Sequence, residues 1–123
     1  MFKQNLAAVA ALCLAAAPLA AQAPTYTINL VSFAYAPQPI QLRAGQPMTL
    51  NFINRSNSGH DFTARSFFAS SRIIAGAAPG GKVRVGPGRT QAVTLIPRAG
   101  DYGVHCSHFL HSQMGMRTRI YVN

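Results

Sequence analysis

Short runs of alternating apolar and polar residues, cut by glycine and proline, leave this chain one class of fold. Residues 25–31 (Thr-Tyr-Thr-Ile-Asn-Leu-Val) and 48–54 (Met-Thr-Leu-Asn-Phe-Ile-Asn) repeat with period two. That spacing puts alternate side chains on opposite faces of a strand, with Met48, Leu50 and Phe52 sharing one face. Further pieces stand at 40–42, 83–85, 92–96, 101–105 and 118–122. Gly45-Gln46-Pro47 and Gly86-Pro87-Gly88 separate neighbouring runs, and the prolines fall between runs, where a missing N–H breaks no ladder. The pattern predicts an all-β chain, a Greek-key β-sandwich of about seven to eight strands. Residues 66–74 (Ser-Phe-Phe-Ala-Ser-Ser-Arg-Ile-Ile) depart from it and read as a helical turn or two inside a long connection. No internal repeat or linker divides the chain.

The first residues read as an address. Lys3 precedes an uncharged apolar run at 6–20, and Ala21-Gln22-Ala23 is a small-x-small cleavage signal. Residues 1–23 are therefore expected to be a cleaved secretory signal peptide and 24–123 a single domain in the periplasm. The apolar run is short for a membrane span and no stop-transfer pattern follows, so no stable membrane anchor is expected after cleavage. Cys13 lies in that run, which leaves Cys106 as the one thiol of the remaining chain. An unpaired cysteine in an oxidising compartment is a reactive thiol, half of an intermolecular bridge, or a metal ligand.

Charge narrows the partners. Without Lys3, one lysine and nine arginines face only Asp61 and Asp101, a net +8. Such a balance suits an acidic protein partner or an anionic surface. Nucleic acid is not expected, because the cations are scattered singly and no nucleic-acid motif is present.

The chemistry concentrates in one stretch, His105-Cys106-Ser107-His108-Phe109-Leu110-His111-Ser112-Gln113-Met114-Gly115-Met116. It holds a thiol, an imidazole five positions on and a thioether five further. Upstream, Ser58-Gly59-His60-Asp61-Phe62 offers another imidazole. Two imidazoles, one thiolate and a weak thioether are the ligand set of a blue-copper electron-transfer site. The expected ligands to one copper ion are His60, Cys106, His111 and Met116. His108 is an alternative to His111, although the spacing from His111 to Gly115-Met116 fits better, and Met114 is an alternative to Met116, although Gly115-Met116 directly before the last strand favours Met116. A Cys106–His60 protease dyad and a zinc site are weaker rivals, since neither needs the thioether. Phe33, Phe52, Phe62, Tyr102 and Ile120 read as core or ligand-shell packing.

Tyr102-Gly103-Val104-His105-Cys106-x4-His111-x3-Gly115-Met116-x3-Ile120-x-Val122 resembles the closing stretch of the cupredoxins, the small blue-copper proteins. The resemblance spans about residues 25–123. It implies that Cys106, His111 and Met116 are thiolate, second imidazole and axial thioether, that His60 is the first imidazole, and that Gly59 stands where a carbonyl approaches copper in azurin-like members. Family members commonly carry Asn where this chain has Asp61; a carboxylate there could accept hydrogen bonds from the Cys106 loop and alter the copper potential. The stretch is also similar to the end of multicopper oxidases, but those read His-Cys-His where this chain has His105-Cys106-Ser107. His105 is accordingly expected to be an outward strand residue. The resemblance implies an electron carrier, not an enzyme; a monomer is expected, and the net charge directs it toward an acidic redox protein such as a cytochrome. Docking would use the His111 edge framed by Phe109, Leu110, Gln113 and Met114. Copper transport, storage or resistance is the alternative.

Overall fold

The computed structural model describes residues 23–108 and 110–123. The expected leader falls almost wholly outside that range. Among the described residues, ten strands form two five-stranded sheets. In chain order they are β1 (Thr25–Val31), β2 (Ala34–Ala36), β3 (Ile40–Leu42), β4 (Met48–Asn54) and β5 (His60–Thr63). After a short helix α1 (Arg65–Ser70) come β6 (Arg72–Ala75), β7 (Lys82–Val85), β8 (Thr90–Ile96), β9 (Gly100–His105) and β10 (Arg117–Val122). One sheet has the order β2-β1-β4-β8-β6 and the other β3-β10-β9-β5-β7. β1 lies parallel to β4 and β10 parallel to β3, while the other pairs are antiparallel. Parallel partners cannot be joined by a tight hairpin, so the chain must cross between layers.

Alternation supplies the core. Ile28, Leu30, Leu50, Phe52, Val93 and Leu95 point inward from the first sheet. Ile40, Phe62, Val83, Val85, Val104, Ile120 and Val122 meet them from the second. Phe52 and Phe62 touch between the layers, ring centroids 4.8 Å apart. Tyr102 packs partly buried against this core, edge-on to Phe67. The helix in the exceptional segment buries Phe67 and Phe68.

The sandwich has ten strands where about seven to eight were expected. β2 is only three residues long, too short to show a period. β5 is buried at all four positions, so its sequence His-Asp-Phe-Thr shows no alternation of polarity. β6 carries an irregularity in its pairing with β8 between Ile73 and Ala75, which scrambles the two-residue repeat. Among the described residues, no helix is long and apolar enough to cross a membrane.

Candidate metal centre

Adjacent strands of the second sheet bring the candidate residues together. Thr63 of β5 pairs with His105 at the end of β9. The strands are antiparallel, so β5 runs back from Thr63 alongside the residues that follow His105. Asp61 thereby reaches the Cys106–Ser107 turn, and His60 lies one residue further along. β9 and β10 are in register, Arg117 opposite His105, and the Cys106 N–H donates to the Met116 carbonyl at 3.0 Å. The intervening turn is folded on itself: His111 N–H donates to the His108 carbonyl, Met114 N–H to Leu110, and Met116 N–H back to His111. Gly115 has φ +97°, a conformation that suits glycine and delivers Met116 into the interior.

Three donor atoms converge. His60 Nδ1 and His111 Nδ1 are 3.1 Å apart. Cys106 Sγ lies 3.5 Å from the His111 nitrogen and 3.9 Å from that of His60. The centre of this triangle is about 2.0 Å from each corner, the length of a transition-metal bond to nitrogen and slightly under one to sulfur. Cys106 and Met116 are fully buried and His60 nearly so. Met114 is 60% exposed, whereas Met116, favoured by its place directly before the last strand, is fully buried. His60 Nε2 is buried without a hydrogen-bond partner among the described residues.

His108 is outside the triangle. It is exposed, stacks on His111 with ring centroids 5.2 Å apart, and places Nε2 3.9 Å from an Asp61 carboxylate oxygen. A side chain at Gly59 would press on it, with a Cβ only 3.3 Å from His108 Cε1. His105 is exposed on β9, the outward position expected for it. Phe33 is not core: it is 38% exposed, and its ring stands edge-on to His111 at 5.3 Å. Phe109 lies outside the described residues.

Asp61 knits the two halves of the site. Its carboxylate accepts hydrogen bonds from Ser107 N–H (2.9 Å), Ser107 Oγ (2.6 Å) and Thr63 Oγ1 (2.6 Å). Its own N–H donates to Cys106 Sγ at 3.4 Å, and its carbonyl accepts from the buried Tyr35 hydroxyl at 2.6 Å. The sequence suggested hydrogen bonds from the Cys106 loop to Asp61. It gave no sign of Thr63 or Tyr35, because nothing in spacing marks a hydroxyl that arrives from another strand.

Burial and these contacts set the protonation states. Burial raises the Cys106 thiol above its ordinary value, partly opposed by the Asp61 N–H. Burial lowers His60, and the neighbouring imidazoles of His111 and His108 add to the effect. Burial pushes the Asp61 carboxyl up, but the hydrogen bonds from Ser107 and Thr63 outweigh it and leave the group below the usual carboxylate range. Both lowered groups act on stability in the same direction. A histidine kept neutral by the fold is protonated first in the unfolded chain, so stability falls as pH drops below about 6.5. A carboxylate kept ionised contributes stability that is lost as pH falls from about 3.9 through its lowered folded value. The metal-free protein is expected to melt at falling temperatures as pH drops below about 6.5, and to lose further stability below about pH 3.9. Calorimetry checks this, and His60→Gln should remove much of the upper phase.

A family model for a cupredoxin-like domain matches residues 5–120. The chain belongs to the cupredoxin-like family. The match begins within the stretch read as a leader. Among solved structures, a dithionite-reduced auracyanin from the photosynthetic bacterium Roseiflexus castenholzii is similar, with 20% identity and a TM-score of 0.62 over 82% of this chain and 98% of its own. Auracyanin B is similar at 18% identity and TM-score 0.60, over 82% and 89%. A multicopper oxidase from Campylobacter jejuni matches at 13% identity and TM-score 0.62, over 80% of this chain but 30% of its own. No curated protein matches. At these identities the structures establish the fold. The cupredoxin fold and the His60, Cys106 and His111 cluster together point to copper binding: imidazole and thiolate suit that metal, and the triangle has the size of a metal site.

Proposed function

We propose that this cupredoxin is a periplasmic single-electron carrier, not an enzyme, with one type 1 copper ion held by His60, Cys106, His111 and Met116. The observation that carries it is the buried triangle of two imidazole nitrogens and one thiol, with fully buried Met116 beside the cysteine. Bound copper would supply reversible one-electron chemistry. The chain supplies a fixed frame for it. The Cys106 and Met116 backbones are tied by a hydrogen bond, and His60 comes from a strand buried along its whole length. The Asp61 N–H aimed at Cys106 Sγ favours the thiolate. Donors already gathered by the fold need little rearrangement when charge changes. That counts against copper delivery, where ligands must open. His111 is only partly buried, with Phe33, Leu110 and Met114 exposed around it. This apolar rim suits brief contact with a redox partner.

The test is copper titration followed by visible spectroscopy and voltammetry. An intense thiolate-to-copper band and a reversible one-electron wave are expected. A colourless copper complex would overturn the type 1 reading. Within the same experiment, Met116→Leu should retain copper and raise the reduction potential, because losing a weak donor in a dry shell favours Cu(I). Met114→Leu, at the surface, should shift it several times less. The reverse ranking would reassign the axial position.

A further inference from the structure

The outer face of the β3-β10-β9-β5-β7 sheet is positively charged, and it adjoins the Cys106–Ser107 turn. We infer that this face is the docking surface for an acidic redox protein, an inference that rests on the carrier reading above. Alternation buries Val83, Val85, Val104 and Ile120 and so turns Lys82, Arg84, His105, Arg117 and Arg119 outward. Arg65, at the start of α1, joins them. The only two carboxylate side chains of the described residues both lie here and both are occupied. Asp61 is buried under Ser107 and Thr63, and Asp101 pairs with Arg119 at 2.7 Å. Among the described residues, Arg65, Lys82, Arg84 and Arg117 have no carboxylate within ion-pair reach.

These cations line recesses and do not stand on a flat plane. One cleft lies between Arg65, Lys82 and Arg84. A second lies between Lys82, Arg84, Ser107 and His108. A third runs between Arg65, His105, Arg117 and Arg119. Shared residues make them one band. Carboxylate side chains of a protein can enter such recesses, whereas a bilayer surface meets only their rims. The band is also continuous with the apolar rim, because His108 lines the second cleft and stacks on His111. A partner with an apolar spot flanked by acidic residues would cover both arms. The basic arm sets its orientation, and the apolar arm brings it to His111.

The experiment compares two double charge reversals that change net charge equally. Lys82→Glu with Arg84→Glu removes the band's centre. Arg43→Glu with Arg98→Glu alters the opposite end, where Ala44 and Gly45 bond to Asn123 and Pro97. Copper-loaded proteins are mixed with a small acidic c-type cytochrome in a stopped-flow instrument at about 0.1 M salt, where exposed charges are screened over about 10 Å and position matters more than total charge. The first variant is expected to transfer electrons at least about tenfold more slowly than the parent, and the second within about threefold of it. Equal slowing of both would overturn the inference. So would an unchanged cytochrome rate combined with loss of binding to anionic phospholipid vesicles, which would make the band a membrane contact. The visible spectrum and a reversible voltammetric wave are controls that both variants should pass. A parent protein that fails to exchange electrons with hexacyanoferrate would overturn the carrier reading, and this inference with it.

Discussion

Cys106→Ser is expected to abolish the intense visible absorption of the copper-loaded protein while leaving the sandwich folded. Cys106 is the only free thiol among the described residues and the only sulfur in the donor triangle. The colour would depend on its thiolate, and a hydroxyl cannot replace that donor. The fold does not depend on it in the same way. Cys106 is surrounded by a core of twenty buried apolar residues that includes it. The main-chain bond from its N–H to Met116 survives any side-chain change. A serine hydroxyl is smaller than the thiol and can accept the Asp61 N–H, so the metal-free variant should lose no more than about 1–2 kcal/mol. Absorption after copper addition and thermal melting by circular dichroism measure the two halves. A serine variant that kept the intense band would remove Cys106 from the site. One that failed to fold would show the thiol to be a structural element.

The second large effect is expected at Asp61. Asp61→Ala removes the acceptor of three hydrogen bonds and leaves Ser107 N–H and the Thr63 hydroxyl without their partner. Thr63 is buried and Ser107 lies at the surface, where water can partly replace the lost acceptor. The loss should be about 2–4 kcal/mol, since stranded buried polar groups cost about 1–3 kcal/mol each. Asp61→Asn keeps an acceptor oxygen and should cost less. It also removes a negative charge beside the thiolate and should therefore raise the copper potential, an effect that a purely structural role would not produce. Urea denaturation of the metal-free proteins and voltammetry of the loaded ones separate these contributions. A loss below about 0.5 kcal/mol for the alanine variant would mean that the Ser107 contacts are replaced by solvent at no net cost.

Most of the frame was legible because period-two alternation is a direct imprint of one buried and one solvated face. β1 and β4 show it over seven residues each. β5 does not, because the Cys106–Ser107 turn covers the face that would otherwise be wet, and a strand buried on both faces loses its repeat. The candidate site was readable where it is local. Cys106, His111 and Met116 fall on one turn, so their spacing carries information. His60 comes from a strand whose pairing with β9 is a product of topology; the sequence pointed to it through the need for a second imidazole and through the resemblance, not through any spacing from Cys106. Spacing favoured His111 over His108, and geometry gives the reason: His111 is placed in the triangle by the turn, and His108 is placed over Asp61. Thr63 and Tyr35 support the site from other strands and leave no local trace. Residues 1–22 of the expected leader and Phe109 lie outside the described residues.

The separation of His60 from the cysteine turn has a consequence for refolding. Before β5 docks on β9, the unfolded chain already carries Cys106, His108 and His111 within six residues of one another. These can seize a cuprous ion locally. Metal that binds the unfolded chain stabilises the native one less than its affinity suggests, and it also invites the wrong imidazole to stay. Refolding in a chelator, with copper added only afterwards, should give more coloured protein than refolding with copper present from the start.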